Sequence, residues 1–268
     1  MKRKKTKRNT LYLRGMNDTI LYTTWDFMKH KGIIKRMRNT YGTYIVALAG
    51  MMILHPSPVQ ATEAGAPVFI SSEITYGDEI YNRINGRSYQ ENENISLEDL
   101  RYLQISHYDF DHEIQTGELI VNAELADEVL EIFQELYDAE YEIATMHLID
   151  DYWVNEDPDQ ADTNSIDHNN TSAFCYRVVT GGQNLSRHAY GCAIDINPQQ
   201  NPYLTLEEDG TYYCDHENAL EYMDRTLEDE HEIKEGDICW QVFTDRGFTW
   251  GGSWTDPKDY QHFEKRLS

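Results

Sequence analysis

The clearest periodic stretch runs from Asn122 to Asp138. Leu125, Val129, Ile132, Phe133 and Leu136 recur at helical spacing, and Glu124, Asp127, Glu128, Glu131 and Glu135 fall on the other side. The pattern predicts an amphipathic helix, capped by Asn122, with its acids in solvent. Elsewhere the period shortens to two. Gln104–Asp109 and Glu118–Val121 read as strands with Gly117 between them, and Glu142–Ile149 as a further strand in which His147 is a packed residue. Ser96 to Leu100 carries a capping signature for a short helix. Asp237–Arg246 reads as a helix capped by Asp237 and stopped by Gly247. Ser172–Val179 is a candidate strand running into a turn at Thr180-Gly181-Gly182. Ala193–Asn197 is another, ended by Asn197-Pro198 because proline cannot continue a central ladder.

Leu204–Ile233 is acidic and weakly patterned, with a turn at Asp209-Gly210. It reads as an insertion, a hairpin plus a helix over Asn218–Leu227, whose His216 and His231 are surface residues. Asp150, Asp151, Glu156, Asp157, Asp159 and Asp162 crowd one loop without the ordered spacing of a calcium site, so a solvated loop is expected. Short strands with a few amphipathic helices predict an α+β fold: a small antiparallel sheet with helices packed on one side.

Charge divides the chain. Residues 1–61 hold 12 of the 23 Lys and Arg and only Asp18 and Asp26 as acids, a net of +10; the remainder has 11 basic and 45 acidic residues, a net of −34. Within the basic part, Tyr44–Leu54 is an uncharged apolar run of 11 residues, preceded by Lys35, Arg36 and Arg38 and followed by prolines and small residues. That order is the pattern of a secretory signal, and the run is shorter than the roughly 20 residues a bilayer span needs. The expected organisation is a basic N-terminus and signal peptide over 1–61, cleaved after Ala61, a linker and extension over 62–95, and a catalytic domain over 96–268. The acidic remainder would repel phosphates, which argues against nucleic acid as a partner.

The chemistry concentrates in two stretches. Ser186-Arg187-His188-Ala189-Tyr190-Gly191-Cys192-Ala193-Ile194-Asp195 reads S-x-H-x-x-G-x-A-x-D, and Asp259-Tyr260-Gln261-His262 reads D-x-x-H. Together they offer two imidazoles and a carboxylate as metal ligands and one spare carboxylate, the inventory of a catalytic zinc site with an open position for water. His188 and Asp195 are seven apart and would face opposite sides of one unbroken strand. Gly191 allows a bend that brings them to one point. Asp259 belongs beside the metal, on the way into a strand that carries His262.

These paired motifs resemble those of the LAS zinc metallopeptidases: the D-alanyl-D-alanine carboxypeptidases of the vancomycin-resistance type and the L-alanyl-D-glutamate endopeptidases, with their Hedgehog/DD-peptidase-like fold. The resemblance runs from about Ile84 to the C-terminus and includes Asn169 to Phe174 with Arg177, Asp195 to Pro198 with Asn201-Pro202-Tyr203, and Trp250-Gly251-Gly252. It implies Zn2+ held by His188, Asp195 and His262, Asp259 as base, Arg177 as oxyanion or carboxylate partner, and Ser172 and Asn170 as substrate contacts. Glu264 shares the face of His262 and would orient it. The implied substrate is the stem peptide of bacterial peptidoglycan, and the implied location extracytoplasmic: a secreted or wall-associated monomer with no membrane attachment after signal cleavage. The alternatives are a wall-peptide-binding module that keeps zinc without turnover, which has no need of Asp259, and an acidic calcium-binding scaffold, which lacks repeating carboxylate spacing. Cys175, Cys192, Cys214 and Cys239 are even in number and follow the signal pattern, so two disulfides are possible, with Cys175–Cys192 and Cys214–Cys239 the favoured pairing.

Overall fold

A computed structural model of the chain describes residues 66–179 and 182–267. The basic N-terminus, the apolar run Tyr44–Leu54, the expected cleavage point after Ala61, and Thr180 and Gly181 of the expected turn lie outside the described residues. No helix among the described residues is long and apolar enough to cross a membrane.

The larger sheet is antiparallel, built from β1 (Phe69–Glu73), β2 (Leu100–Tyr108) and β3 (Ile114–Asn122) in that order. β1 pairs with β2 along its whole length, and the short helix α1 (Glu79–Ile84), capped by Asp78, buries Ile84. Residues 69–84 pack with the residues that follow them: Ile74, Ile84 and Tyr89 share a core cluster with Leu100, Ile120 and Phe174. The capping box at Ser96 and Asp99 forms as expected and opens a single 3-10 turn before β2.

The acidic helix is α2 (Ala126–Asp138). Its apolar stripe of Val129, Ile132, Phe133 and Leu136 is buried against Leu103, Ile105, Leu119 and Val121 of the sheet. Asn122 is not its cap. It ends β3, where its carbonyl side-chain oxygen accepts from the Glu124 N–H at 3.0 Å and its amide donates to the Tyr190 carbonyl at 3.0 Å. Over 142–149, where the pattern predicts one strand, pairing is limited to a lone bridge from Glu142 to Tyr108 and to β4 (Thr145–Met146), parallel to β5 (Asn170–Thr171). The acid-rich loop is largely helical: a 3-10 turn (Ile149–Tyr152) and α3 (Pro158–Asp167), with Asp157 as N-cap and Pro158 in the first turn. Asp150 is buried there and accepts from both the N–H and the hydroxyl of Ser88.

The second sheet carries the chemistry. β6 (Ala193–Asp195), β11 (His262–Glu264) and β9 (Thr249–Trp250) lie antiparallel in the order β6-β11-β9. α4 (Ile238–Thr244), capped by Asp237, joins this sheet to α2: the Phe243 ring stacks on Phe263 at 4.2 Å and meets Phe133 edge-on at 6.3 Å. The acidic insertion supplies a third sheet, β7 (Tyr203–Leu206) between β8 (Tyr212–Tyr213) and β10 (Lys258–Asp259). Its expected helix is a 3-10 segment, Glu217–Met223. Arg225 pins the insertion by donating to the carbonyls of Gln200 and Ile233, with its guanidinium over Tyr260 at 4.3 Å. The α+β class holds, but with several small sheets rather than one.

The four cysteines are free thiols and all buried. Cys192 and Cys239 lie in the main core, Cys175 beside Ile149 and Ala161, and Cys214 beside Leu204 and Ala219. Each favoured disulfide would have to join two separate clusters, so that pairing is corrected.

Candidate active site

His188 sits in a single 3-10 turn, Arg187–Tyr190. The Ser186 hydroxyl caps it by accepting from the His188 N–H, and Gly191 ends it at φ +65°. A Cβ at Gly191 would lie 2.5 Å from the Asn122 nitrogen and 2.8 Å from the Val121 carbonyl carbon. Backbone angle and space both demand glycine, and the turn delivers His188 and Asp195 to one side. Gly191→Ala is expected to cost roughly 2–4 kcal/mol, from left-handed strain plus overpacking. Thermal unfolding measures the loss, and metal affinity should fall with it.

Asp195 and His262 are register partners across β6 and β11. His188 Nε2 lies 3.2 Å from Asp195 Oδ2 and 3.2 Å from His262 Nδ1, and His262 Nδ1 lies 2.9 Å from Asp195 Oδ1. Each histidine has its other nitrogen engaged. His188 Nδ1 faces the Ala173 carbonyl at 2.5 Å, and His262 Nε2 faces Glu264 Oε2 at 3.3 Å. Such partners fix the tautomer and aim the free lone pair inward, as in metal-ligating histidines. Ligands about 2.0–2.1 Å from a tetrahedral zinc stand about 3.3 Å apart, so this donor set fits that ion.

The electrostatics agree. Burial would raise the Asp195 carboxyl, but His188 and His262 hold it far below the ordinary range. Burial opposes protonation of His262, yet hydrogen bonds to Asp195 and Glu264 raise it to about 10. His262 thus holds its proton tightly beside an ionised Asp195, where a divalent cation could take the proton's place.

Asp259 lies on β10, opposite Tyr203 of the insertion. Its Oδ2 is 3.9 Å from His262 Nδ1, and its Oδ1 is buried with no hydrogen-bond partner among the described residues. Burial, reinforced by the Asp195 carboxylate, pushes Asp259 up to about 7 against the pull of the two histidines. Gly251 lets the following turn pack on it: a Cβ there would lie 2.6 Å from the Asp259 carbonyl oxygen. The Trp254 indole covers His262 at 5.4 Å.

Arg177 is buried, and its Nη2 donates to Asp162 Oδ2 at 2.6 Å. The Asp162 carboxylate raises it above the usual guanidinium range despite burial, and Asp195 adds to the effect. Asp162→Asn, which removes the charge partner, is expected to cost about 3 kcal/mol, read as a lower Tm. Ser172 is buried and pairs its backbone with Asp195 in both directions, at 3.1 and 2.9 Å. Asn170, the other residue expected to contact substrate, is 1% exposed. Its amide is buried and occupied: the oxygen accepts from the His147 N–H, and the nitrogen donates to the His147 carbonyl and the Ser165 hydroxyl. It holds the chain behind the site. His147, expected to be packed, is exposed.

Four contributors escape the sequence reading: Asp162, Tyr203, Trp254 and the Ala173 carbonyl. All reach the site through pairing or packing rather than through a motif, and no local spacing signals them.

Three converging donors with a buried carboxylate alongside define the type of site used by metal-dependent hydrolases. Residues 180–265 match the family model described as D-alanyl-D-alanine carboxypeptidase. That match carries the family resemblance, and with it a hydrolase of the peptidase class, over the segment that holds His188, Asp195, Asp259 and His262. No curated protein and no solved structure matches the chain.

Proposed function

We propose that the protein is a zinc-dependent peptidase that hydrolyses peptide bonds in peptidoglycan stem peptides, outside the bacterial cytoplasm, on a Hedgehog/DD-peptidase-like fold. The observation that carries this is the convergence of His188, Asp195 and His262 beside the raised carboxyl of Asp259, all within the segment that matches the family. Zinc, once bound by those three residues, would supply a Lewis acid and lower the pKa of water toward ~7.

The chain's own residues supply the rest. Asp259, unpaired at Oδ1 and raised toward neutrality, takes a proton from the attacking water and returns it to the leaving amine. Ala173 and Glu264 keep the two imidazoles turned inward. Arg177, fixed by Asp162, places a permanent positive charge near Asp195 that can favour an anionic transition state or a substrate carboxylate. Ser172, paired through its backbone with Asp195, is the residue next to the ligands that would contact substrate. Trp254 shields His262 from bulk water.

The test is digestion of wall muropeptides by the purified protein, read by mass spectrometry with zinc content measured on the same sample. Loss of a terminal D-alanine makes it a carboxypeptidase, and release at the L-Ala–D-Glu bond an endopeptidase. Bound zinc without cleavage of any muropeptide, unaltered by Asp259→Ala, would establish a binding module instead.

A further inference from the structure

A second histidine–carboxylate cluster stands on the side of the fold where the insertion returns to the core. His231 was expected at the surface without a partner; the structure buries most of it against Glu142. His231 Nε2 lies 2.8 Å from Glu142 Oε2, and the side chains are 16% and 21% exposed. The other oxygen of Glu142 faces His112 Nδ1, in the β2–β3 turn, at 3.0 Å. Donor atoms of Glu142, Glu230 and His231 all lie within 4.8 Å of one another.

We propose that Glu142, Glu230 and His231, with His112 holding the other oxygen of Glu142, form a second metal site, for zinc or a similar first-row divalent cation, that fastens the acidic insertion to the core. Three observations set it apart from an ordinary acidic surface. First, each histidine aims one nitrogen at Glu142 and has the other toward a second carboxylate: His231 Nδ1 is 3.3 Å from Asp229, and His112 Nε2 is 3.5 Å from Glu140. That is the orienting pattern of metal-bound imidazoles, and His188 and His262 show its counterpart in the catalytic set.

Second, the rings are held in place. Phe110 stacks on His231 at 3.7 Å and Tyr108 on His112 at 4.7 Å, so the imidazoles lose little freedom on binding an ion. Third, no Lys or Arg among the described residues pairs with Glu142 or Glu230. The contrast is the group Glu118, His147 and Asp151. There Arg83 already neutralises both carboxylates, at 2.8 and 3.2 Å, and no cation is called for. The His231 imidazole among the donors favours zinc, nickel or copper over calcium or magnesium, which prefer all-oxygen shells.

The site has a structural task. The Glu142 carbonyl accepts from the Asn197 side chain at 2.9 Å, and the His231 carbonyl from the Asn201 side chain at 3.0 Å. Both asparagines lie in the segment that leaves β6 after Asp195. An ion at Glu142 and His231 would brace the end of the insertion and the segment leaving β6 together.

The test uses the full, untagged chain, stripped of metal and titrated with zinc, with bound zinc counted by elemental analysis and affinity by calorimetry. The wild type should take up a second equivalent that persists in His262→Ala. His231→Ala should lose it or bind it at least 10- to 100-fold more weakly, while keeping the equivalent at His188, Asp195 and His262. His112→Ala, at a half-exposed position, gives the same direction of change if His231→Ala does not fold. A wild type that takes up one equivalent, lost in His262→Ala, overturns the proposal. So does a second equivalent retained at unchanged affinity in both variants. Muropeptide cleavage plays no part in the readout, so failure of the peptidase reading would leave this result standing.

Discussion

Asp259→Asn should slow muropeptide cleavage by about 10²- to 10⁴-fold, the usual worth of a positioned general base, while leaving zinc content unchanged. The reasoning is geometric. Asp259 is 3.9 Å from His262 Nδ1, yet its Oδ1 makes no hydrogen bond among the described residues. A ligand-only carboxylate would be bound like Asp195, and a structural one would be satisfied. Asparagine keeps the volume and removes the ability to accept and return a proton. The pH profile gives an independent reading. Without metal, burial sets the Asp259 carboxyl at about 7, against an ordinary 3.8. A dication nearby favours the ionised form and lowers that value. Cleavage should therefore rise through an acid limb between about 4 and about 7, as the base loses its proton, and the limb should vanish in Asp259→Asn. A mutant with wild-type rate and an unchanged limb would remove Asp259 from the mechanism.

Removal of the metal should abolish cleavage and lower stability together. A ligand that binds only the folded chain adds RT ln(1 + [L]/Kd), about 4 kcal/mol at a thousandfold excess over Kd. Chelation should take both away, and zinc should restore both. Dialysed protein with full activity and an unmoved Tm would refute the metal reading. The sign of the pH effect on the metal-free protein also follows. Asp259 has a raised carboxyl, so its contribution is complete below about 4 and lost as pH rises to about 7. Asp195 is held low by its two histidines, so its contribution is present above about 4 and lost on acidification. His262, raised to about 10, contributes fully below 6.5 and loses that contribution toward pH 10. Zinc displaces these protons, so the metal-bound protein should tolerate alkali better than the stripped one.

Much of this was legible in the chain itself. The helix at 126–138 follows from a stripe that leaves one face apolar, and its residues do fill the core. The bend at Gly191 follows from two ligands at a spacing no single strand permits. The insertion was the hardest to read, because its strand Tyr203–Leu206 has little periodicity and is defined by its partner Lys258–Asp259, some fifty residues on. The setting of Asn170 is not legible for a related reason: its amide bonds to His147 and Ser165, which no local spacing ties to it. The acid-rich stretch 150–162 looked like a loop because charge hides helical spacing, although Asp157-Pro158 is a good start signal.

The four buried thiols bear on how the molecule is made. With Cys175, Cys192, Cys214 and Cys239 divided among three apolar clusters, no covalent cross-link holds the fold. Native structure then owes nothing to an oxidant, and a reductant should leave its melting unchanged. The exposure comes earlier, in the unfolded chain, where all four sulfurs are accessible and an oxidising medium can join them in wrong pairs that the packed core excludes. Refolding yield should therefore be higher with thiols kept reduced, the reverse of the rule for small secreted domains stapled by disulfides.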